Sequence, residues 1–182
     1  MGGKSYTGKG DAGDSGLPGG RRARKSEPIF EAVGLLDELN SVLGLVRAAA
    51  DPKKGLDEQL ETIQADLFEA GSCLCGYWPA EKASAFEHKL KRLEGWIDGM
   101  DSEMPALENF ILPGGCPLAA SLHHARTVCR RVERRVEGND VPSKKHILPY
   151  INRLGSYFFA RARFENMKAG VEETVWRGEG KK

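Results

Sequence analysis

No stretch of the chain approaches the ~18–20 consecutive apolar residues that a membrane-spanning helix needs, so no membrane span is expected. The opening residues, MGGKSYTGKG, hold neither the apolar core of a secretory signal nor a long Arg- and Ser-rich amphipathic leader, and a cytoplasmic location is the expectation. Net charge is almost absent: 27 Lys and Arg against 26 Asp and Glu leave +1. A general nucleic-acid or membrane-surface binder carries a large basic excess, and this chain has none. Cysteine is scarce. Cys73, Cys75, Cys116 and Cys129 do not make a disulfide framework in 182 residues. Cys73 and Cys75 stand two apart and so face different sides of a helix, which points to buried free thiols rather than a Cys/His metal site. Alternation of strand and helix is missing too, and with it the signature of a parallel α/β sheet.

Two apparent nucleotide motifs lack their context. Gly8-Lys9-Gly10-Asp11-Ala12-Gly13 spells G-x-G-x-x-G, but no hydrophobic strand precedes it and no helix follows. Gly3-Lys4-Ser5 looks like the end of a P-loop without the upstream glycine that loop requires.

What is present is helical. With 40 % apolar residues the chain can bury a core, and one domain over residues 1–182 is expected. Residues 1–28 read as a glycine-rich loop with a basic cluster at Arg21, Arg22, Arg24 and Lys25. By itself the loop is a flexible tail. With a ligand it offers backbone amides that approach phosphates closely, since glycine raises no side-chain barrier. The helical bundle follows over residues 29–176, and residues 177–182 should fray.

Five helices are read from steps of three and four. The first carries Ala32, Leu36, Leu39, Leu43, Val46 and Ala50, with Asp37 beside the seam and Asp51-Pro52 as its stop. The second carries Leu56, Leu60, Ile63, Leu67, Ala70, Leu74 and Tyr77; the third, Phe86, Leu90, Leu93, Ile97 and Met100. Phe110 to Gly115 interrupts as a short apolar run closed by Pro-Gly-Gly, and Phe110 taken alone reads as core. The fourth helix opens near Pro117 with the seam Leu118, Leu122, Ala125, Cys129, Val132 and Val136, and ends near Gly138. The fifth runs from about Lys144 to Ala169, with Pro149 expected in its first turn because an interior proline kinks a helix. Val171 to Trp176 reads either as a strand or as a packed tail. The expected fold is all-α: a five-helix antiparallel bundle with a glycine-rich N-terminal loop.

Arg126, Arg130 and Arg134 fall at i, i+4 and i+8 on the fourth helix, beside Glu133. Such a row is either a solvated face or a polyanion site, because guanidinium forks match phosphate oxygens and stay charged. Arg153, Arg161 and Arg163 on the fifth helix need counter-charges as well, from a ligand or from acids such as Asp37 of this or another subunit. His123 and His124 are adjacent and face apart, which argues against a two-histidine metal site.

Four blocks together resemble the PduO-type ATP:cob(I)alamin adenosyltransferases: Tyr6 to Leu17; Phe30 to Gly34 running into Asp37-Glu38-Leu39-Asn40; Phe110 to Gly115 followed by Arg126 to Arg135; and Asn152-Arg153-Leu154 with Tyr157-Phe158. The resemblance implies a homotrimer with active sites at subunit interfaces. It implies a transferase that moves the 5′-deoxyadenosyl group of ATP to the cobalt of reduced cobalamin and releases triphosphate. Cobalt(I) is then the nucleophile, so the protein contributes position and charge. Also implied are a loop wrapping ATP through Thr7, Gly8, Lys9, Gly10, Asp11, Gly13 and Ser15, with Lys25 on the phosphates; Arg130, Glu133, Arg134 and Asn152 completing the nucleotide site; Arg126 paired with Asp37 across the interface; and Phe110 pressing on the lower face of the corrin ring. Asp37, Phe110, Arg126 and Arg130 are the candidate catalytic residues. Magnesium would arrive on the ATP phosphates, without direct protein ligands. A reductase and a cobalamin-dependent enzyme are the implied protein partners.

The loop departs from the family pattern T-R-T-G-D-K-G-T-T. Gly8 stands for a basic residue, Lys9 for Thr, Ala12 for Lys and Asp14 for Thr, so ATP contacts there should differ in detail, with Lys9, Arg21, Arg22 and Arg24 compensating. Two other readings are a carrier that binds ATP or a corrinoid with little turnover, and a helical nucleic-acid binder; the near-zero net charge disfavours the second.

Overall fold

The computed structural model describes residues 5–50 and 55–178. The expected stop at Asp51-Pro52, Gly3-Lys4 and the tail beyond residue 178 lie outside the described residues. Helix α1 spans Pro28–Ala49, α2 Leu56–Leu74, α3 Phe86–Asp101, α4 Pro117–Glu137 and α5 Lys144–Lys168. Pro28 and Pro117 sit in first turns, where the missing N–H costs nothing. The Cys116 sulfur caps α4 by accepting from the Ala119 N–H.

The apolar seams face one core. Ala32, Leu36, Leu39, Leu43, Val46 and Ala50 of the first helix are buried, as are Leu56, Leu60, Ile63, Leu67, Ala70 and Leu74 of α2. On α4, Leu122, Ala125, Cys129, Val132 and Val136 are buried and Leu118 half-buried. Among the described residues all four cysteines are free thiols.

Polar contacts give the helix directions. Asn40 and Gln64 exchange amide-to-carbonyl hydrogen bonds at 3.1 and 2.9 Å, and Arg47 meets Asp57 at 2.7 Å, so α1 and α2 are antiparallel. Glu31–Arg135 and Glu38–Arg131 run oppositely along α1 and α4. His146–Glu87 and Arg153–Glu94 advance in the same direction, so α3 and α5 are parallel, as odd-numbered members of an up-down series must be. Helix α5 lies between α4 and α3, and α1 joins α4 to α2.

Several details differ from expectation. Residues 1–28 are not wholly loop: β1 (Asp14–Gly16) and β2 (Arg22–Arg24) form an antiparallel hairpin, pairing Asp14 with Arg24, Ser15 with Ala23 and Gly16 with Arg22. Tyr77 falls past the end of α2 and is exposed, because Gly76 turns the chain out of the helix at φ +77. Pro149 lies inside α5, beyond the first turn. It is tolerated because Pro149 and Lys145, whose carbonyl loses its amide partner, are both on the solvated side. Phe110 is 78 % exposed rather than core. Of the two readings of Val171–Trp176 the strand is observed: Val175 bridges antiparallel to Ile111.

Candidate active site

The seam of α4 fixes where its arginines go. Arg131 and Arg135 lean toward α1 and pair with Glu38 and Glu31. Arg126 and Arg130 lean toward α5, where Arg130 Cγ passes Gly155 and the Arg126 guanidinium sits 5.9 Å from the Phe159 ring centroid. Asn152, Ser156, Phe159 and Arg163 recur at i, i+4, i+7 and i+11 and form one stripe of α5. Stripe and row together line a cavity of about 690 Å³, which Met104 and Leu107 close from the segment after α3.

The cavity lining carries three guanidiniums, Arg126, Arg130 and Arg163, against one carboxylate, Asp101. Arg126 makes no ion pair among the described residues, and its buried Nε lacks a hydrogen-bond partner. Burial, and then the neighbouring Arg130, push its pKa down. A guanidinium crowded by another and stripped of water is stabilised by any anion that enters. Arg130 is 56 % exposed and only 3.8 Å from Glu133, too long for a hydrogen-bonded pair, so its fork is free. Glu133 instead accepts from Asn152 Nδ2 at 2.6 Å, which fixes carboxylate and amide together. Arg134 lies exposed one turn on.

Of the two sources of counter-charge left open for the arginines of α5, ligand or acids, the structure shows acids of the same chain. Arg153 meets Glu94 at 3.2 Å, Arg161 meets Glu165 at 2.8 Å, and Arg163 meets Glu173 at 3.1 Å. His123 and His124 do face apart, one buried and the other exposed. Burial, then Arg126, holds the His123 pKa down, so the ring is neutral.

The N-terminal candidates gather elsewhere. Lys25 donates its backbone N–H to Gly13 at 2.9 Å and folds its ammonium over Gly10, where an added Cβ would lie 3.0 Å from Nζ. Gly10 is thus what lets the lysine close the loop. Arg22 donates to the Lys9 carbonyl at 2.6 Å, and Arg24 lies 3.6 Å from Asp14. The added acid Asp14 therefore has a cation inside the hairpin. Thr7, Gly8, Lys9, Asp11 and Gly13 are exposed, and Ser15 is half-buried. The hairpin meets the bundle where Tyr77 donates to the Gly16 carbonyl at 3.4 Å. Tyr77 also borders a second cavity, about 420 Å³, lined by Phe30, Phe68 and Asp37. Among the described residues no hydrogen bond or ion pair joins residues 7–25 to Arg126, Arg130 or Asn152. One chain thus carries the candidate set on two faces: loop and Asp37 on one, arginine cavity on the other.

Phe110 stands on the arm leading to α4, edge-to-face with Trp176. Sequence reasoning overlooked Phe159, Ser156 and Trp176. The first two were detectable by extending the helical stripe from Asn152. Trp176 carried no periodic signal.

Comparison with known proteins places the chain in a family. The family description "Cobalamin adenosyltransferase" matches residues 5–165. The corrinoid adenosyltransferase of Bacillus subtilis is 41 % identical over 178 residues, covering 95 % of this chain and 92 % of that protein. The human corrinoid adenosyltransferase MMAB is 37 % identical, covering 95 % of this chain and 73 % of its own length. A variant of the PduO-type ATP:corrinoid adenosyltransferase from Lactobacillus reuteri, complexed with cobalamin and ATP, superposes with a TM-score of 0.87 at 34 % identity, covering 96 % of this chain and 97 % of that one. With its five-helix bundle, its arginine cavity and a match spanning residues 5–165, the chain belongs to the cobalamin adenosyltransferase family.

Proposed function

We infer that this chain transfers the 5′-deoxyadenosyl group of ATP to the cobalt of cob(I)alamin, forming adenosylcobalamin and triphosphate. The observation that carries this reading is the cavity in which Arg126 and Arg130 crowd together without a full counter-charge. In the reaction the cobalt(I) electron pair attacks C5′, the C5′–O bond breaks, and its electrons leave on the triphosphate oxygen. Charge grows on that leaving group, which is where Arg130 and Arg134 act. Glu133 and Asn152, locked to each other, orient the nucleoside end. The cations and backbone amides of this site suit phosphate oxygens rather than a metal, so magnesium would be held by the phosphates, where it neutralises charge. Thr7, Gly8, Lys9, Gly10, Asp11, Gly13 and Ser15 wrap the nucleotide, and Lys25, already folded over Gly10, reaches the phosphates. Phe110 faces the corrin ring.

The two-faced layout supports a composite site. The loop of one copy meets the arginine cavity of the next, and Asp37 supplies the counter-charge that Arg126 lacks. A closed ring of such head-to-tail contacts is the homotrimer. Asp37→Arg and Arg126→Asp should each impair assembly and activity, and the double exchange should recover a large part of both. Sedimentation and turnover measured on the three variants check this; a double variant no better than either single one removes the pair from the interface.

No helix among the described residues is long and apolar enough to cross a membrane. We place the reaction in the cytoplasm, with a reductase supplying cobalt(I) and a cobalamin-dependent enzyme taking the product. Anaerobic mixing with ATP, magnesium and chemically reduced cobalamin should yield the adenosylcobalamin spectrum and one triphosphate per turnover. Binding of both substrates without conversion would make the protein a carrier.

A further inference from the structure

An aromatic side chain that is 78 % exposed has little packing to hold it still. Phe110 has one ring partner, Trp176, with centroids 6.2 Å apart and planes at 80°. The backbone reinforces the contact. The Trp176 N–H donates to the Phe110 carbonyl at 2.7 Å, the Leu112 N–H donates to the Thr174 carbonyl at 2.8 Å, and Ile111 bridges Val175 between them. A two-strand patch this short does not persist unaided and needs an anchor.

The anchor is α5. Arg163, nine-tenths buried, donates to Glu173 at 3.1 Å and to the Pro105 carbonyl at 3.0 Å, so one guanidinium ties both arms to the bundle. Asn166, 2 % exposed, donates to the Gly114 carbonyl at 3.1 Å, accepts from the Cys116 N–H at 2.9 Å, and offers its own carbonyl to the Val171 N–H at 2.9 Å. Gly115 makes that clip possible, because a Cβ there would lie 2.0 Å from Asn166 Oδ1.

We propose that Trp176 is a positioning residue for Phe110, and that residues 171–176, anchored through Glu173 and Arg163, form a working half of the corrinoid-side wall. This rests on the role assigned to Phe110 above. Strand pairing brings the tail beside Phe110, and the indole edge restricts the rotation of its ring. With the indole gone, Phe110 keeps its place in the chain and loses its orientation. Misplacement of one reacting surface is felt in turnover long before the fold is affected.

The test compares Trp176→Ala, Trp176→Phe, Phe110→Ala and the double alanine variant, each as full chain with ATP and magnesium. Trp176→Ala should lower kcat/KM for cobalamin by about tenfold and leave KM for ATP unchanged. Trp176→Phe should recover it to within about threefold, since a ring edge is restored. The double variant should be no worse than Phe110→Ala, because the indole acts only through that ring. A second readout is the absorption spectrum of bound cob(II)alamin: a Phe110 ring held against the lower corrin face keeps an axial ligand off the cobalt, so the fraction lacking that ligand should fall in Trp176→Ala. Trp176 is 55 % exposed, so its melting temperature should stay unchanged. Wild-type cobalamin kinetics and spectrum in Trp176→Ala, or full additivity with Phe110→Ala, overturns the positioning role and leaves the Phe110 reading intact. Unaltered cobalamin use in Phe110→Ala overturns both.

Discussion

Replacing Arg130 with alanine should lower kcat/KM for ATP by about 10²–10³-fold, the loss seen when a donor aimed at developing charge is removed. Arg130 is the member of the row best suited to this. It is exposed to the cavity, it has only a loose 3.8 Å neighbour in Glu133, and Gly155 leaves room for its stem against α5. Arg126 lies one turn away in the same cavity and should behave differently. It is half-buried over Phe159, and its Nε lacks a partner within the chain. Arg126→Ala removes a guanidinium whose pKa burial, and then Arg130, holds down, and with it the proposed partner of Asp37 on the proposed corrinoid side. The expected signature is a split: Arg130→Ala acts through ATP, Arg126→Ala through cobalamin. Steady-state kinetics with each substrate varied in turn reads it directly. Equal increases in both Michaelis constants for both variants would refute the division. Arg130→Lys separates fork from charge, since an ammonium keeps the charge and loses bidentate geometry. Recovery of less than a tenth of the activity would assign the work to geometry.

The helices were legible because their apolar residues repeat every three to four positions, and burial follows that repeat almost residue for residue on α1, α2 and α4. The arginine row was legible for the same reason. What faces it was not: the cavity needs α5 and the segment after α3, and only the packing brings those to α4. The hairpin strands escaped notice, and the strand reading of residues 171–176 came without its partner. Asp14–Gly16 and Arg22–Arg24 are three residues each, too brief for an alternating pattern, and Ile111 with Val175 is a single bridge between distant segments. Phe110 taken alone reads as core, and only the family resemblance set it apart, since hydrophobicity does not tell a core position from an exposed apolar one. For the arginines of α5 the sequence left ligand and acid open, and the structure supplies acids. Their counter-charges Glu94, Glu165 and Glu173 come from α3, from one turn along the same helix and from the tail.

Asp66 is the clearest case of a residue whose weight lies wholly in the third dimension. In sequence it is one acid in an amphipathic helix, preceded by Ala65 and followed by Leu67. In the structure it is 3 % exposed and accepts from Lys89 Nζ at 2.6 Å, from the Tyr150 hydroxyl at 2.7 Å and from Arg92. The backbone of α2 packs mainly on α1, and this carboxylate ties α2 to α3 and α5 at once, beside the separate links Glu69–Lys89 and Gln59–Tyr157. Burial, and then Asp66 itself, raises the Tyr150 pKa, so the phenol stays protonated and donates. Asp66→Ala leaves Lys89 with Glu69 alone, Arg92 without this carboxylate and a buried hydroxyl unpaired. The expected cost is about 3–5 kcal/mol, as for other buried pairs that lose one member. In a chain of this size that lowers the melting temperature by roughly 6–20 °C. Tyr150→Phe removes one hydrogen bond and keeps the ion pairs, so it should cost about 1 kcal/mol. Thermal or urea unfolding of the two variants tests the order. If Asp66→Ala cost no more than Tyr150→Phe, the carboxylate would be a solvated acid in effect, and α2 would be held by its apolar seam and its remaining polar links.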